Sequence, residues 1–418
     1  MKSFALNASK KTKSTSVGEI PVDWGVARLG DISIIKSGGT PERNVSAYWK
    51  GSIPWVKTGE IDFNTITATS ETITEAGLKE SSAWLVPKGS VLMAMYGQGK
   101  TRGQVAILGI EAAINQACAA IQADSERLDG LYLFFNLQSR YEEIRDLSNT
   151  GSQENLNGQV IRALTIPLPP LAEQRKIAAI LAIWDEALEK LDTLIEAKER
   201  RRKALMQRLL TGSLRFPKSG KTPWRKVRMN TVLTRVFRPI EWSADKPLSL
   251  VSVRRRCGGL FRRADVLGSG YKTQDLHDLK ADDFLISKRQ VVHGAWALVT
   301  PEFEGSHVSK EYVILVNAAP DKLHMPFFAW LAQTPRMIRL ARVASTGVHI
   351  EKLIFDPEVF LRDIIRLPAT VAEQEQIAET LDACTAEVRL LRQQRTALDR
   401  QKRGLMQRLL TGKLRVTV

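Results

Sequence analysis

Ala94 to Thr101 (AMYGQGKT) has the glycine and lysine spacing of a relaxed phosphate-binding loop. Its chemistry would be nucleotide hydrolysis, and it requires a helix starting at Lys100 so that N-terminal N–H groups face phosphate. The residues that follow, Arg102 to Leu108 (RGQVAIL), read as a strand instead. No apolar strand ending in a magnesium-binding Asp is evident downstream. The stretch therefore reads as a hairpin loop with a basic tip, able to face a nucleic-acid backbone. A standalone ATPase using residues 94–101 is one rival function, and Lys100→Ala would abolish its turnover.

Other side chains capable of chemistry are scattered. The five histidines, His277, His293, His307, His324 and His349, form no i, i+4 pair with Glu, so they do not read as metal ligands. There is no Gly-x-Ser-x-Gly elbow, no Gly-x-Gly-x-x-Gly fingerprint and no Asn-Pro-Pro-aromatic signature. Cys118, Cys257 and Cys384 lie too far apart for a disulfide framework or zinc site, which suits a reducing cytoplasm. What remains is basic. Arg254, Arg255 and Arg256, with Arg262 and Arg263, flank a Cys-Gly-Gly-Leu-Phe turn. Lys288 and Arg289 lie near His293 and Trp296, while Arg43, Lys57, Tyr96, Lys100 and Arg102 sit among Gly, Thr and aromatic residues. Arg and Lys can contact phosphate, and Arg can bind guanine bidentately. These twelve are the candidate DNA-binding residues; no catalytic or metal site is expected.

Composition agrees with a binding role. The 418 residues carry 61 basic and 45 acidic side chains, a formal charge of +16, and 44% are hydrophobic. That excludes a disordered chain, a collagen and a disulfide mini-protein, and the length suggests several domains. No apolar run approaches the ~20 residues of a membrane span. The first sixteen residues lack the apolar centre of a secretory signal. Residues 1–171 are net neutral and 216–371 carry +10, with +3 on each of 172–215 and 372–418. A basic excess points to a polyanion.

An internal repeat organises these residues. LAEQRKIAAIL from Leu171 matches VAEQEQIAETL from Val371, and MQRLLTGSLR from Met206 matches MQRLLTGKLR from Met406, both at an offset of 200. Trp24 and Trp224 share the offset. A period this long means a duplicated module of one variable block and one helical block, not a solenoid. In the first helical block Ile177, Leu181, Trp184, Leu188, Leu191, Ile195, Lys198, Arg202, Leu205 and Leu209 alternate at spacings of 4 and 3. Ile377, Leu381, Cys384, Val388, Leu391, Arg395, Leu398, Lys402, Leu405 and Leu409 do the same in the second. Both are heptad seams. Pro169-Pro170 and a Thr370–Glu373 capping box start the helices, and Gly212 and Gly412 end them. Each helix spans about 40 residues, or ~60 Å at ~1.5 Å per residue.

Two such helices can bury their seams on each other as an antiparallel pair related by a pseudo-twofold, with one variable block at each end. The alternative is that each packs on its own block as ordinary core; the polar breaks at Lys198, Arg202, Arg395 and Lys402 favour a solvated rod. Off-seam apolar residues are expected to dock a partner subunit: Ile180, Ile183, Leu194, Met206, Leu210, Leu390, Met406 and Leu410. The boundaries are 1–170 and 216–369 for the variable blocks, 171–215 and 370–418 for the helices. Both blocks read as mixed α/β with strands and helices in the same order, and Thr150-Gly151 corresponds to Thr346-Gly347.

The pattern resembles the DNA-specificity subunit of type I restriction–modification systems. The carriers are GEIPVDWGVARLGDI from Gly18, SGGTPERNVSAYWKGSIPWVKTGEI from Ser37, VLMAMYGQGKTRG, INQACAAI from Ile114, PLPPLAEQRKIAAIL and the twice-used MQRLLTG. The second block lacks the Gly-Gly-Thr-Pro and Ile-Pro-Trp strings. The resemblance implies two target-recognition domains separated by an antiparallel pair of long coiled-coil helices. Each domain reads half of a split, asymmetric double-stranded DNA target, and the helices set the spacing. Two methyltransferase subunits, carrying S-adenosylmethionine and modifying adenine, and two motor-nuclease subunits, which use ATP and magnesium, are the implied partners. The chain itself is expected to be non-catalytic, free of cofactor and cytoplasmic, with no membrane partner. A structural adaptor that uses the helices without reading DNA is the second rival.

Overall fold

The computed structural model describes residues 6–8, 11–97, 99–147, 155–217, 222–263, 265–270 and 274–416; the Thr150-Gly151 correspondence lies outside them. The chain divides into two compact units, Met1–Asp192 with Gln393–Val418, and Thr193–Arg392. Each long helix is continuous, Leu171–Leu209 and Val371–Leu410, and contributes one half to each unit. These units differ from the expected blocks 1–170 and 216–369 in that each takes in a segment of both helices.

The two variable blocks are built on one scaffold. In the first unit an antiparallel sheet runs in the order Ser33–Ser37, Cys118–Ala123, Val91–Ala94, Val105–Leu108, and Thr65–Ile66 adds a parallel edge. In the second unit the order is Leu233–Val236, Tyr312–Asn317, Phe284–Ser287, Trp296–Leu298, all antiparallel. The pair Gly25–Arg28 with Thr165–Leu168 is matched by Arg225–Arg228 with Ile364–Leu367. Apolar helices, Gly130–Ser139 and Met325–Ala332, pack into the respective cores with Trp24 or Trp224 nearby. The blocks diverge beyond this sheet. The first adds a three-stranded sheet of Ala113–Ile114, Trp49–Val56 and Glu71–Ile73. The second has three two-stranded ribbons there instead, among them Val251–Val253 with Leu260–Arg262.

Within each unit the helical segments run antiparallel. In the first, Asp185 pairs with Lys402 and Asp192 with Arg395. In the second, Lys198 pairs with Glu387 and Arg202 Nη1 donates to Thr385 Oγ1 at 3.4 Å. Partner numbers fall as residue numbers rise, which defines the direction. The seam is shared between two tasks. Ile177, Leu181 and Leu409 join the first block's core around Trp24 and Phe134, and Leu209, Ile377 and Leu381 join the second's. Leu188, Leu191, Ile195 and Val388 are buried outside those cores. The outer turns are therefore ordinary block core, and only the remaining turns are helix-on-helix packing. The polar breaks are paired rather than solvated: Lys402 is 5% exposed, its ammonium held by Asp185 and lying 5.3 Å from the Phe135 ring centre. A buried ammonium requires such a carboxylate, because desolvation of an unpaired charge is prohibitive.

The repeated strings form a clamp. Glu173 is buried and accepts from Arg415 Nε and Nη2 at 2.7 and 2.8 Å and from Trp24 Nε1 at 3.0 Å. Glu373 accepts from Arg215 Nε and Nη2 at 2.8 and 2.7 Å and from Trp224 Nε1 at 3.5 Å. Gln174 and Gln374 tie the helix starts to Arg127 O and Lys322 O at 2.9 and 2.8 Å. Of the expected capping box, Glu373 N donates to Thr370 Oγ1 at 3.3 Å, whereas the Glu373 carboxylate serves the clamp. Gly212 and Gly412 turn the chain after each helix with φ of 74° and 68°, a conformation that favours glycine. Arg215 and Arg415 follow three residues later. No helix of the described residues is long and apolar enough to cross a membrane.

Candidate nucleic-acid interface

The Val91–Ala94 and Val105–Leu108 strands form the expected hairpin, with Met93 opposite Val105. No helix begins at Lys100: Gly103 N donates to Ala94 O at 2.9 Å and Gln104 N to Thr101 O at 3.0 Å, closing a turn. The geometry of a nucleotide-hydrolysing phosphate loop is therefore not formed, which removes the rival ATPase site. Gly97, Gly99 and Gly103 have φ of 138°, 82° and 86° and make the tight tip possible. The helix Tyr141–Asp146 braces it: the Tyr141 hydroxyl donates to Lys100 O, and Arg145 Nη2 to Gly99 O at 2.5 Å. The backbone of the tip is thus held while the Lys100 side chain and Tyr96 stay exposed and Arg102 is half-buried.

Arg43, in a turn, and Lys57, just after the strand Trp49–Val56, sit beside the three-stranded sheet of the first unit. Gly38 and Gly39 run so close to it that an added Cβ would lie 2.0 Å from Ile114 O and 2.3 Å from Ala83 N. Trp55 Nε1 donates to Gly39 O at 3.0 Å. The Arg43 guanidinium lies 4.0 Å from the Trp49 ring centre and 4.8 Å from that of Trp55. Arg43 and Lys57 converge on Glu71, at 2.5 and 2.9 Å. The hydrogen bond from Lys57, then that from Arg43, hold the Glu71 carboxyl below the usual carboxylate range. The cluster is one carboxylate between two cations on a tryptophan floor. Glu71 and the two tryptophans were absent from the candidate residues; the long-range ion pair gives no local signal.

In the second unit the same position in the scaffold, between Phe284–Ser287 and Trp296–Leu298, holds Lys288, Arg289 and the turn Val291–His293. Arg256 and Cys257 have φ of 59° and 54°, and their N–H groups donate to His293 O and Gly294 O at 2.7 and 2.8 Å. This docks the Arg254–Arg256 turn on the hairpin tip at His293 and Gly294. Arg254 stacks 4.6 Å from the Phe261 ring centre, and Arg255 and Arg256 are exposed. Lys288 Nζ donates to Lys310 O at 2.5 Å, and burial, then Arg235, push its ammonium pKa down. Arg289 pairs with Glu311 at 2.6 Å. Arg262 stands apart: from the strand Leu260–Arg262 it donates to Ser249 Oγ at 2.7 Å and to Glu302 O, stapling a loop and the 3-10 turn Pro301–Phe303 to its ribbon, while its neighbour Arg263 is exposed. Among the described residues no group of acids, histidines or cysteines could hold a metal.

The expected partner surface is corrected by burial. Ile180, Met406 and Leu410 lie in the core of the first unit and Leu210 in that of the second, with Met206 packed against it. Ile180, Leu210, Met406 and Leu410 are buried against their own variable blocks and present no free apolar surface, whereas Met206 is half-buried. Ile183, Leu194 and Leu390 remain exposed, at 53%, 42% and 60%.

Comparison with known proteins places this geometry. Residues 21–199 match the model of the type I restriction modification DNA specificity domain. The chain is 32% identical over 181 residues to the type I restriction enzyme MjaIX specificity subunit of Methanocaldococcus jannaschii, covering 42% of this chain and 41% of that relative. To the MjaVIII specificity subunit of the same organism it is 22% identical over 425 residues, covering 95% of this chain and 94% of the relative. Among solved structures, the S subunit of a type I restriction–modification system from M. genitalium superposes with a TM-score of 0.57 at 13% identity, over 93% of this chain and 96% of that one. The HsdS subunit of Thermoanaerobacter tengcongensis gives 0.53 at 18% identity, over 96% and 100%. At such identities the structural likeness speaks for a shared fold.

Proposed function

We propose that this chain, which belongs to the family of type I restriction–modification DNA-specificity subunits, reads a bipartite, asymmetric DNA target, one half with each variable block. It is a specificity subunit rather than the catalyst. Partner methyltransferase subunits bring S-adenosylmethionine and modify adenine, and motor-nuclease subunits bring ATP and magnesium, in the cytoplasm.

One observation carries the reading. The two blocks share a four-stranded order but present different side chains from the equivalent hairpin, Tyr96 and Lys100 in one, Lys288 and Arg289 in the other. A common scaffold with divergent polar tips suits two different sequence-reading tasks. The basic excess of residues 216–371 supports phosphate contact there. The neutral first block relies on local cations such as Lys100, with partner subunits adding phosphate contacts.

Co-expression with the partner methyltransferase, followed by base-resolution mapping of adenine methylation in host DNA, tests this. A split asymmetric motif that depends on this chain is expected. An active complex that methylates without any motif overturns DNA reading and favours an adaptor. Shortening both helices by one heptad should change the spacer and leave the half-sites intact; an unchanged spacer overturns the ruler role of the helices.

A further inference from the structure

The second unit has a cleft to which the basic candidates of the sequence contribute only Lys288. It is about 310 Å³ and is lined by Arg235, Phe237, Asp275, His277, Lys288 and Lys310. Arg235 belongs to the edge strand Leu233–Val236, and Phe237 follows it directly. The Phe237 ring is 62% exposed, with the Arg235 guanidinium 4.2 Å from its centre and the His277 ring centre at 6.1 Å. Across the cleft, Lys288 Nζ is bonded to a backbone carbonyl, Lys310 O, which supplies no countercharge.

The charges in the cleft do not balance. Among the lining residues three cations meet one carboxylate, Asp275, which lies 3.5 Å from Lys310 and 3.4 Å from His277 Nε2, while Glu311, already paired with Arg289, acts on Lys288 from outside the cleft. Arg235 forms no ion pair among the described residues. The lowered Lys288 pKa, from burial and the neighbouring Arg235, is the expected response to crowded positive charge. His277 is 9% exposed, and its Nδ1 is buried without a hydrogen-bond partner. An exposed aromatic ring beside uncompensated cations fits an anion that carries its own flat or apolar attachment.

We infer that this cleft holds one phosphodiester group of a DNA strand, gripped by Arg235, Lys288 and Lys310, with Phe237 covering the adjoining sugar or base. The inference deepens the DNA-reading role proposed above and rests on it. It places a backbone contact on the edge strand, next to the Lys288 side of the hairpin. In the first unit the residue 200 positions before Phe237 is Ser37, followed by Gly38 and Gly39, so the grip is a property of the second reader alone.

The test uses the complex of this chain with its methyltransferase subunits and a random-sequence duplex, titrated across a range of salt. In Arg235→Gln the slope of log affinity against log salt should fall by about 0.9, as for loss of one phosphate contact. Phe237→Ala should weaken binding several-fold with the slope unchanged. Lys310→Met, at a residue largely exposed, repeats the measurement should Arg235→Gln fold poorly. Unchanged affinity and slope in Arg235→Gln and Lys310→Met overturn the inference. A wild-type complex that binds no duplex overturns the DNA-reading proposal instead. Inorganic phosphate is titrated in parallel by calorimetry. Phosphate binding that Arg235→Gln abolishes, with duplex binding untouched, would make this a free-phosphate site and overturn the DNA assignment.

Discussion

Arg415 meets Glu173 through two nearly parallel N–H bonds of 2.7 and 2.8 Å, although 242 residues separate them. Arg215 meets Glu373 in the same way at 2.8 and 2.7 Å. The copies differ in support. Arg415 also forks onto Asp23 at 2.9 and 2.7 Å, whereas Pro223 occupies the equivalent position in the second unit and Arg215 donates to Thr222 O at 2.6 Å.

This difference makes the two clamps unequal under mutation. Arg215→Met leaves the buried Glu373 carboxylate with one long bond from Trp224, and removing the partner of a buried charge costs about 3 kcal/mol. Arg415→Met leaves Glu173 with Trp24 at 3.0 Å and the Val416 N–H at 3.4 Å, and the lost Asp23 pair is solvent-screened, so the loss should be smaller. Denaturant midpoints, with hydrogen exchange to locate the loosened unit, compare the two directly. Equal losses would mean that the tryptophan bond is immaterial.

Acid should weaken the first unit in a defined window. Asp23 lies below its ordinary value of 3.8, chiefly through the Arg415 hydrogen bond, and Glu71 below 4.5, chiefly through Lys57. A carboxylate with a depressed folded pKa stabilises above its unfolded pKa and loses that contribution as pH falls through the folded value. Tm should therefore be level from about pH 7 to 5 and decline below about 4.5. The decline should be shallower in Lys57→Met. Both carboxylates are partly exposed, so solvent screening keeps each contribution modest.

Partner docking should depend on the apolar residues that remain exposed. Ile183→Glu and Leu194→Glu should leave the isolated chain folded and weaken co-purification with the methyltransferase subunit about tenfold or more. Ile180→Glu should instead destabilise the chain, because that residue is in the first unit's core. Wild-type co-purification of both exposed variants would sink this docking surface.

Lys100→Ala should reduce the salt dependence of duplex binding by roughly one phosphate contact, a slope change of about 0.9. Stability should change by less than about 0.5 kcal/mol, since the side chain is exposed and the tip is held by backbone bonds. Titration of duplex against the methyltransferase complex checks the first, thermal unfolding the second. An unaltered slope would remove Lys100 from the interface.

The long helices were legible because heptad spacing, prolines at the start and glycines at the end are local signals, and residues 171–209 and 371–410 follow them. The shared sheet was legible as strand-like runs in matching order. The purpose of the repeated strings was not: the Glu in each AEQ looks like a capping residue until an Arg from far along the chain arrives. Off-seam Ile180 and Ile183 look alike in sequence, yet only the fold decides which one faces its own block. Of the basic candidates, Arg254–Arg256 docked on the hairpin tip at His293, while Lys288 turned to Lys310, Arg262 proved to be a staple and Arg43 a partner of Glu71. Arg235 and Lys310 meet across 75 positions of sequence, a distance at which no spacing rule operates.

The clamp also bears on how such a chain can change its preferences. Every residue that shuts the first block, Trp24, Glu173, Gln174 and Arg415, lies outside the stretch that builds its hairpin and tryptophan floor. The second block is shut by Trp224, Glu373, Gln374 and Arg215 in the same manner. The part of the block that meets the joints is not free to change: Phe134 shares a core with Ile177 and Leu181, and the Arg127 carbonyl holds Gln174. Substitutions that spare those positions should leave the socket standing, so the hairpin tip and the tryptophan floor are the cartridge whose side chains can be replaced as a set.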